Sequence, residues 1–133
     1  MIVDANIWIA RALSADAHHV ASRRWIDQQV AGSVQLFAPL FVLAEVAGAV
    51  ARITGSSSEG RRVYRALEVM PVLRLVSADD AFFMEAAALA AELRLRGSDS
   101  VYVALARRLG LPLVTWDQEV SQRAAAIIAV LHP

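Results

Sequence analysis

Met1-Ile2-Val3-Asp4-Ala5-Asn6 is the stretch from which the fold can be read. Three apolar residues end abruptly in an acid, a small residue and an amide. A short apolar run bounded by Asp and Asn reads as a buried strand meeting a turn, and the carboxylate then stands at the strand's carboxyl end. The same event recurs near the other end of the chain, where Leu113-Val-Thr-Trp-Asp117 passes from apolar residues to a hydroxyl and an acid.

Between these two points helical and extended patterns alternate. Ile7–Leu13 reads as one or two helical turns. Ala17–Val30 reads as a helix with His18, Arg23, Arg24 and Gln28 on its wetter positions and Gly32 at its end. Val34–Ala38 reads as a second strand, stopped by Pro39. Phe41–Ile53 predicts a mostly buried helix closed by Gly55. Ser56-Ser-Ser-Glu59 is a capping-box pattern opening a helix to about Met70, and Pro71 stops it. Val72–Val76 alternates as a third strand with Arg74 outward. Phe82, Leu89 and Leu93 fall on one face of a helix from Asp79 to about Arg96, ended by Gly97. Ser98 or Asp99 opens the next helix, with Tyr102, Leu105, Ala106 and Leu109 on its apolar face and Gly110 at its end. Pro112–Thr115 is a fourth strand, Trp116–Arg123 a short helix or turn, and Ala126–Leu131 a last strand. Helices between apolar strands require right-handed crossovers. The expected fold is a three-layer α/β/α arrangement, a parallel sheet of four to five strands with helices on both faces.

The 133 residues fit a single domain, 1–133. At 57% apolar the chain can fill a core. It has no cysteine, so it has no disulfide, thiolate metal site or cysteine nucleophile. It has no lysine either; all 13 positive side chains are arginine. That excludes a P-loop, Schiff-base chemistry and protein-kinase chemistry. Formal net charge is 0, so overall charge predicts neither nucleic-acid nor membrane binding. The longest apolar run, Leu36–Ala51, is cut by Pro39 and Glu45 and is too short to span a bilayer. The N-terminus lacks the basic region of a signal peptide. The expectation is a cytoplasmic protein with no membrane contact.

In open parallel sheets function collects at the carboxyl ends of strands. Asp4 and Asp117 stand there, and Asp99 opens the helix that leads into the fourth strand. Glu45 is the one charge among Phe41, Val42, Leu43, Val46 and Val50, and its burial would cost several kcal/mol without a partner. Each acid also has a structural reading. Asp4 fits an Asx turn or cap, Asp99 an N-cap, and Thr115-x-x-Gln118 a capping box with Asp117 in the first turn.

Taken together, Val3-Asp-Ala-Asn6, Ala38-Pro-Leu-Phe-Val-Leu-Ala-Glu45, Asp99-Ser-Val-Tyr-Val-Ala-Leu-Ala106 and Leu113-Val-Thr-Trp-Asp117 resemble the PIN-domain nucleases, most closely the small VapC-like ribonuclease toxins of toxin–antitoxin pairs. Ser100 stands where family members often carry Ala, and Glu119 can stand in for a further acid seen in some of them. The resemblance implies that Asp4, Glu45, Asp99 and Asp117 converge and bind Mg²⁺ or Mn²⁺. Carboxylates about 4 Å apart repel by roughly 4 kcal/mol per pair at an effective dielectric of 20, so a shared pocket requires protons or a cation. An oxygen-only donor set favours a hard ion. The implied reaction is metal-dependent hydrolysis of an RNA phosphodiester, leaving a 5′-phosphate and a 3′-hydroxyl. Asp4 and Asp99 would be the principal ligands and Asp117 a direct or water-mediated one. Glu45 would be a ligand or would orient the attacking water. Asn6 and Thr115 would hold the carboxylates.

Arg94 and Arg96, just before Asp99, are candidates for phosphate contacts. Arg61, Arg62 and Arg65 cluster on one helix, as a solvated face or an RNA contact. Trp8 and Trp116 flank two of the acids and could stack a base or pack in the core. His18, His19 and His132 lack the i, i+4 spacing of helical metal pairs and read as surface or core residues. The resemblance further implies a homodimer and a cognate antitoxin protein, with the helices around Phe41–Ile53 and Arg61–Met70 as candidates for its groove. Two rival readings remain within this fold, a structure-specific DNA nuclease and a catalytically silent PIN scaffold that binds RNA or protein. A phosphoacceptor receiver domain and a haloacid-dehalogenase-like phosphatase both need the missing lysine.

Overall fold

Five short strands form one parallel sheet in the computed structural model, which describes residues 1–133. They are β1 (Ile2–Val3), β2 (Leu36–Pro39), β3 (Leu73–Val76), β4 (Leu113–Val114) and β5 (Val130–Leu131), ordered β3-β2-β1-β4-β5. Between them lie α1 (Ala5–Ala12), α2 (His19–Ala31), α3 (Val42–Thr54), α4 (Ser57–Glu68), α5 (Asp80–Leu93), α6 (Gly97–Leu109) and α7 (Gln118–Ala124). Right-handed crossovers put α1–α4 on one face and α5–α7 on the other, giving the three layers expected from the sequence.

The inner strands are apolar on both sides because both faces are covered. Ile2, Val3, Leu36, Ala38, Leu113 and Val114 are completely buried. Ile2 pairs with Phe37 on one side and Leu113 on the other, and Val3 pairs with Val114. The ladder continues one residue further, where the Asp4 amide donates to the Val114 carbonyl at 3.0 Å and the Thr115 amide to Leu131 at 3.1 Å. Strand order reverses direction between β1 and β4. Crossovers leave these two strands towards opposite edges, which makes their carboxyl ends the switch point of the sheet.

Several boundaries differ from the sequence expectation. Helix α1 begins at Ala5, because the Asp4 carboxylate caps it through the Asn6 amide. Pro39 is the last residue of β2 and not the stop after it. Arg94, in the left-handed region at φ 55°, ends α5, two residues before the expected end. Gly97 is the first residue of α6, so neither Ser98 nor Asp99 opens that helix, and Asp99 is not its N-cap. The last strand shrinks to Val130–Leu131. Leu109 is 43% exposed rather than packed, while every residue from Ser100 to Ala106 is buried. Helix α6 lies between α5 and the central strands, so burial surrounds its middle and its last turn runs past the core. No helix is long and apolar enough to cross a membrane.

Helices α3 and α4 cross closely at Gly60. A Cβ there would lie 2.5 Å from the Ala47 carbonyl oxygen and 3.1 Å from the Ala51 Cβ. Gly60→Ala should therefore push the two helices apart despite the better helix propensity of Ala. The expected cost is about 1–3 kcal/mol, seen as a melting-temperature drop of several degrees by circular dichroism. An unchanged melting temperature would show that α3 and α4 slide without cost.

Candidate active site

The carboxyl ends of β1 and β4 hold a connected polar cluster. Asp4 is buried. Its Oδ2 accepts from the Thr115 hydroxyl at 2.6 Å and from Asn6 Nδ2 at 2.8 Å, and Asn6 Nδ2 also donates to Thr115 Oγ1 at 2.8 Å. The Asn6 Oδ1 accepts from the Trp116 amide at 3.2 Å. Thr115 Oγ1 accepts from the Asp117 amide at 3.0 Å. Asn6 and Thr115 thus tie the two strand ends together around one carboxylate. Thr115 does not form the expected capping box with Gln118. Instead the Asp117 side chain caps α7, accepting from the Val120 amide at 3.0 Å.

Glu45, in the first turn of α3, finds the partner its apolar neighbours demanded. The Tyr102 hydroxyl donates to Glu45 Oε2 at 2.5 Å from the first half of α6. Tyr102 is fully enclosed, and the sequence placed it only on an apolar face. A buried tyrosine needs a hydrogen-bond partner, and so does a carboxylate among hydrophobics. Those two needs were the available signal. Asp99 lies in the first turn of α6, where the Ser98 hydroxyl approaches it at 3.4 Å.

Electrostatics show that these carboxylates share one environment. Burial pushes Asp4 up to about 7, Thr115 and Asn6 oppose that rise, and Asp99 and Glu45 add to it by repulsion. Burial also raises Glu45, opposed by Tyr102 and reinforced by Asp99. Burial raises Asp99, with Asp117 and Glu119 contributing repulsion and Arg96 opposing it. Burial and the adjacent Glu45 drive Tyr102 upward, so it stays a neutral donor. Asp99 therefore senses Asp117, Glu45, Asp4 and Glu119, and is the electrostatic hub of the cluster.

The four acids are neighbours but do not close on one point. No three of the Asp, Glu or His side chains stand at common metal-ligating range. Each carboxylate is turned to a local donor, namely Thr115 with Asn6, Tyr102, Ser98, and the Val120 amide. Mutual repulsion favours that arrangement. The donor set nevertheless suits a hard divalent cation, being all oxygen and gathered where burial and like charge both oppose ionisation.

Of the other residues singled out, Arg96 acts on Asp99 electrostatically. Arg94 is exposed, and its carbonyl accepts from Arg123. Arg62 pairs with Glu59 at 2.7 Å on an exposed face. Trp8 belongs to the core, so of the two flanking tryptophans only Trp116 reaches the surface. His19 Nδ1 lies 2.9 Å from the Ala10 carbonyl and His132 Nδ1 lies 2.6 Å from that of Thr115. Ser22, not foreseen from the sequence, is buried and accepts from the Trp116 indole N–H at 2.8 Å.

A family model described as PIN domain matches residues 1–126. No curated protein matches the sequence. Among solved structures, the chain is similar to VapC20 of Mycobacterium tuberculosis, described as a sarcin-ricin loop cleaving toxin. The TM-score is 0.79 at 19% identity, over 99% of this chain and 98% of that one. VapBC2 from Rickettsia felis, bound to a DNA fragment from its promoter, gives 0.72 at 14% identity over 98% and 96%. A toxin–antitoxin complex from Klebsiella pneumoniae gives 0.63 at 20% identity over 98% and 94%. At these identities the likeness is one of fold.

The raised Asp4 value fixes the sign of a pH effect on stability in metal-free buffer. The folded state holds its proton more tightly than the unfolded chain does, so stability falls as pH rises from about 4 to about 7. Asp4 alone accounts for up to about 4 kcal/mol of that fall, and Glu45 and Asp99 add in the same direction. Asp4→Asn should lose much of this slope and melt higher than wild type at pH 8 in EDTA. Urea melts at pH 5, 6.5 and 8 test this; parallel curves for the two proteins would refute it.

Proposed function

The chain belongs to the PIN domain family, and we propose that it is a divalent-metal-dependent endoribonuclease, the toxin partner of a protein antitoxin. The observation that carries this reading is the buried Asp4 carboxylate. It is pinned by Asn6 and Thr115 at the sheet's switch point and shares its environment with Asp99 and Glu45. A helix cap needs no burial and no acidic neighbours, whereas a phosphoryl-transfer centre needs several carboxylates in a dry crevice.

In this reading Asp4, Asp99 and Asp117 would hold Mg²⁺ or Mn²⁺, and Glu45, expected to be either a ligand or the group that orients the attacking water, takes the second role. The ion would offset their charge, admit a phosphodiester and polarise its phosphoryl oxygen. The chain's own residues do the rest. Asn6 and Thr115 lock the Asp4 rotamer, so no order is lost when substrate arrives. Tyr102 keeps Glu45 pointed into the crevice. There Glu45 accepts a proton from the attacking water as phosphorus–oxygen bond formation proceeds in line. The bond to the 3′-oxygen breaks, that oxygen takes up a proton from bulk water, and the products are a 5′-phosphate and a 3′-hydroxyl. Arg94 and Arg96, where α5 passes into α6, contact the RNA backbone and neutralise phosphates. Residues 1–133 act as one catalytic domain in the cytoplasm, as a homodimer.

A protein antitoxin as partner is supported by similarity to a solved structure described as a toxin–antitoxin complex. Exposed Phe41, Ile53 and Val69, on and beside α3 and α4, offer apolar surface for such a partner.

The test is cleavage of end-labelled single-stranded RNA, with matching DNA alongside, by partner-free protein in Mg²⁺, Mn²⁺ or EDTA. RNA cleavage should require metal and fall at least 100-fold in Asp4→Asn and Asp99→Asn. Cleavage of DNA alone would favour the related DNA nucleases. Metal with no effect on either cleavage or melting would leave the scaffold reading. Tyr102→Phe separates positioning from ligation. It should lower kcat about tenfold with little change in the metal concentration needed, because Glu45 remains but is no longer aimed. An unaltered kcat would remove Tyr102 from the mechanism.

A further inference from the structure

Three aromatic rings stack at the edge of the candidate site. The His18 and Trp116 rings lie 4.2 Å apart between centroids and 13° from parallel. Trp116 and His132 lie 6.2 Å apart, also at 13°. Two of its members are held by hydrogen bonds, with the Trp116 indole N–H bonded to buried Ser22, its backbone amide bonded to Asn6, and His132 Nδ1 against the Thr115 carbonyl. It is also continuous with the acidic cluster, since Trp116 sits between Thr115, which binds Asp4, and Asp117. Trp116 packs one part of its ring system against the core, while His18 and His132 on either side of it in the array are exposed, so core packing accounts for the indole but not for the two imidazoles. His18 is exposed, and its ring nitrogens have no protein partner.

A groove of about 570 Å³ runs between α2 and Pro133, lined by Val20, Arg24, Trp25 and Gln28 among others. Its lining also includes Ala17 and Pro133, the sequence neighbours of His18 and His132, so the groove passes beside the stack. Arg24 makes no ion pair, unlike Arg23 beside it, which faces Asp27 at 3.8 Å.

We infer that the His18–Trp116–His132 stack is a base-stacking platform for single-stranded RNA, with Arg24 taking a phosphate of the same strand. The inference rests on the ribonuclease reading and adds to it a substrate-binding site that no catalytic residue forms. Stacking suits this position. A pre-ordered ring pair loses no rotamer freedom on binding, any base has a π-face to offer, and the free His18 nitrogens can hydrogen-bond a base edge or phosphate. With zero net charge the chain gains little from long-range attraction, so stacking would carry much of the affinity.

The experiment is steady-state cleavage of a single-stranded RNA in Mn²⁺ by wild type, His18→Ala, His18→Phe and Arg24→Ala, with melting temperatures measured alongside. His18→Ala should raise KM about 5- to 100-fold, the range of one lost base stack, with kcat within about twofold and melting unchanged. His18→Phe should recover most of the affinity, which a hydrogen-bonding role alone would not. Arg24→Ala should raise KM and flatten the slope of log KM against log salt by about 0.7. A KM within twofold of wild type in His18→Ala would overturn the platform while leaving the ribonuclease intact. Failure of wild type to cleave any RNA would instead remove the ribonuclease reading, and the platform with it.

Discussion

One buried carboxylate organises this end of the molecule. Asp4 follows a strand only two residues long, and nothing about that strand could hold a charge in a dry place by itself. Asn6 and Thr115 do so, from positions two and 111 residues away. Their hydrogen bonds recover part of the desolvation cost and fix the carboxylate in one orientation. The remaining cost appears as a proton affinity near neutrality. Capping of α1 by the same carboxylate returns only part of that cost, which points to a reason outside folding.

The sheet topology turns that local cost into a site. Parallel strands deliver their carboxyl ends to one edge, and reversal of the crossover direction between β1 and β4 leaves that edge uncovered. Asp4 and Asp117 arrive there as consequences of strand order. Glu45 and Asp99 arrive because α3 and α6 both begin near that edge, on opposite faces of the sheet, and both carry the acid in the first turn. A first-turn acid gains from the helix dipole, so each is placed where its charge is least unfavourable. The Tyr102 hydroxyl then bridges the two faces, with a donor on α6 meeting a carboxylate on α3.

How far the sequence reveals this depends on the range of the interaction. Strand–turn junctions at Asp4 and Asp117 are local events, and apolar runs ending in polar residues expose them. Sheet class follows from the alternation of elements. Helix ends were less legible because Arg94 adopts a left-handed conformation that sequence rules reserve for glycine or asparagine, which made Gly97 look like the terminator. The apolar stripe of α6 was only half visible, since a helix covered on two sides has no single face. The pairings of Tyr102 and Ser22 were missed for a deeper reason. Their partners lie 57 and 94 residues away, and pairing of a buried group with a distant partner leaves no period or spacing in the chain. What the sequence does show is one half of such a pair, a polar group in apolar company, as at Glu45.

The distribution of arginine bears on how a neutral protein could bind a polyanion. Arg11, Arg23, Arg62, Arg107, Arg108 and Arg123, six of the 13, are held in ion pairs with Asp27, Glu59, Glu85, Asp79 or Glu119. Surface pairs of this kind add little stability, but each withdraws a cation from the long-range field. The other seven make no ion pair, and of these Arg96 acts directly on Asp99. Positive charge is thus spread over single side chains, and the cluster at the strand ends is acidic. On the proposed reading, RNA would be recognised at close range by a few phosphates and a stacked base, and the crevice would accept the scissile phosphate only once a cation has reversed its sign. Binding and catalysis would then be separable within one small domain. Arginine and aromatic contacts would hold the strand whether or not metal is present, and the carboxylates would act on it only when metal is.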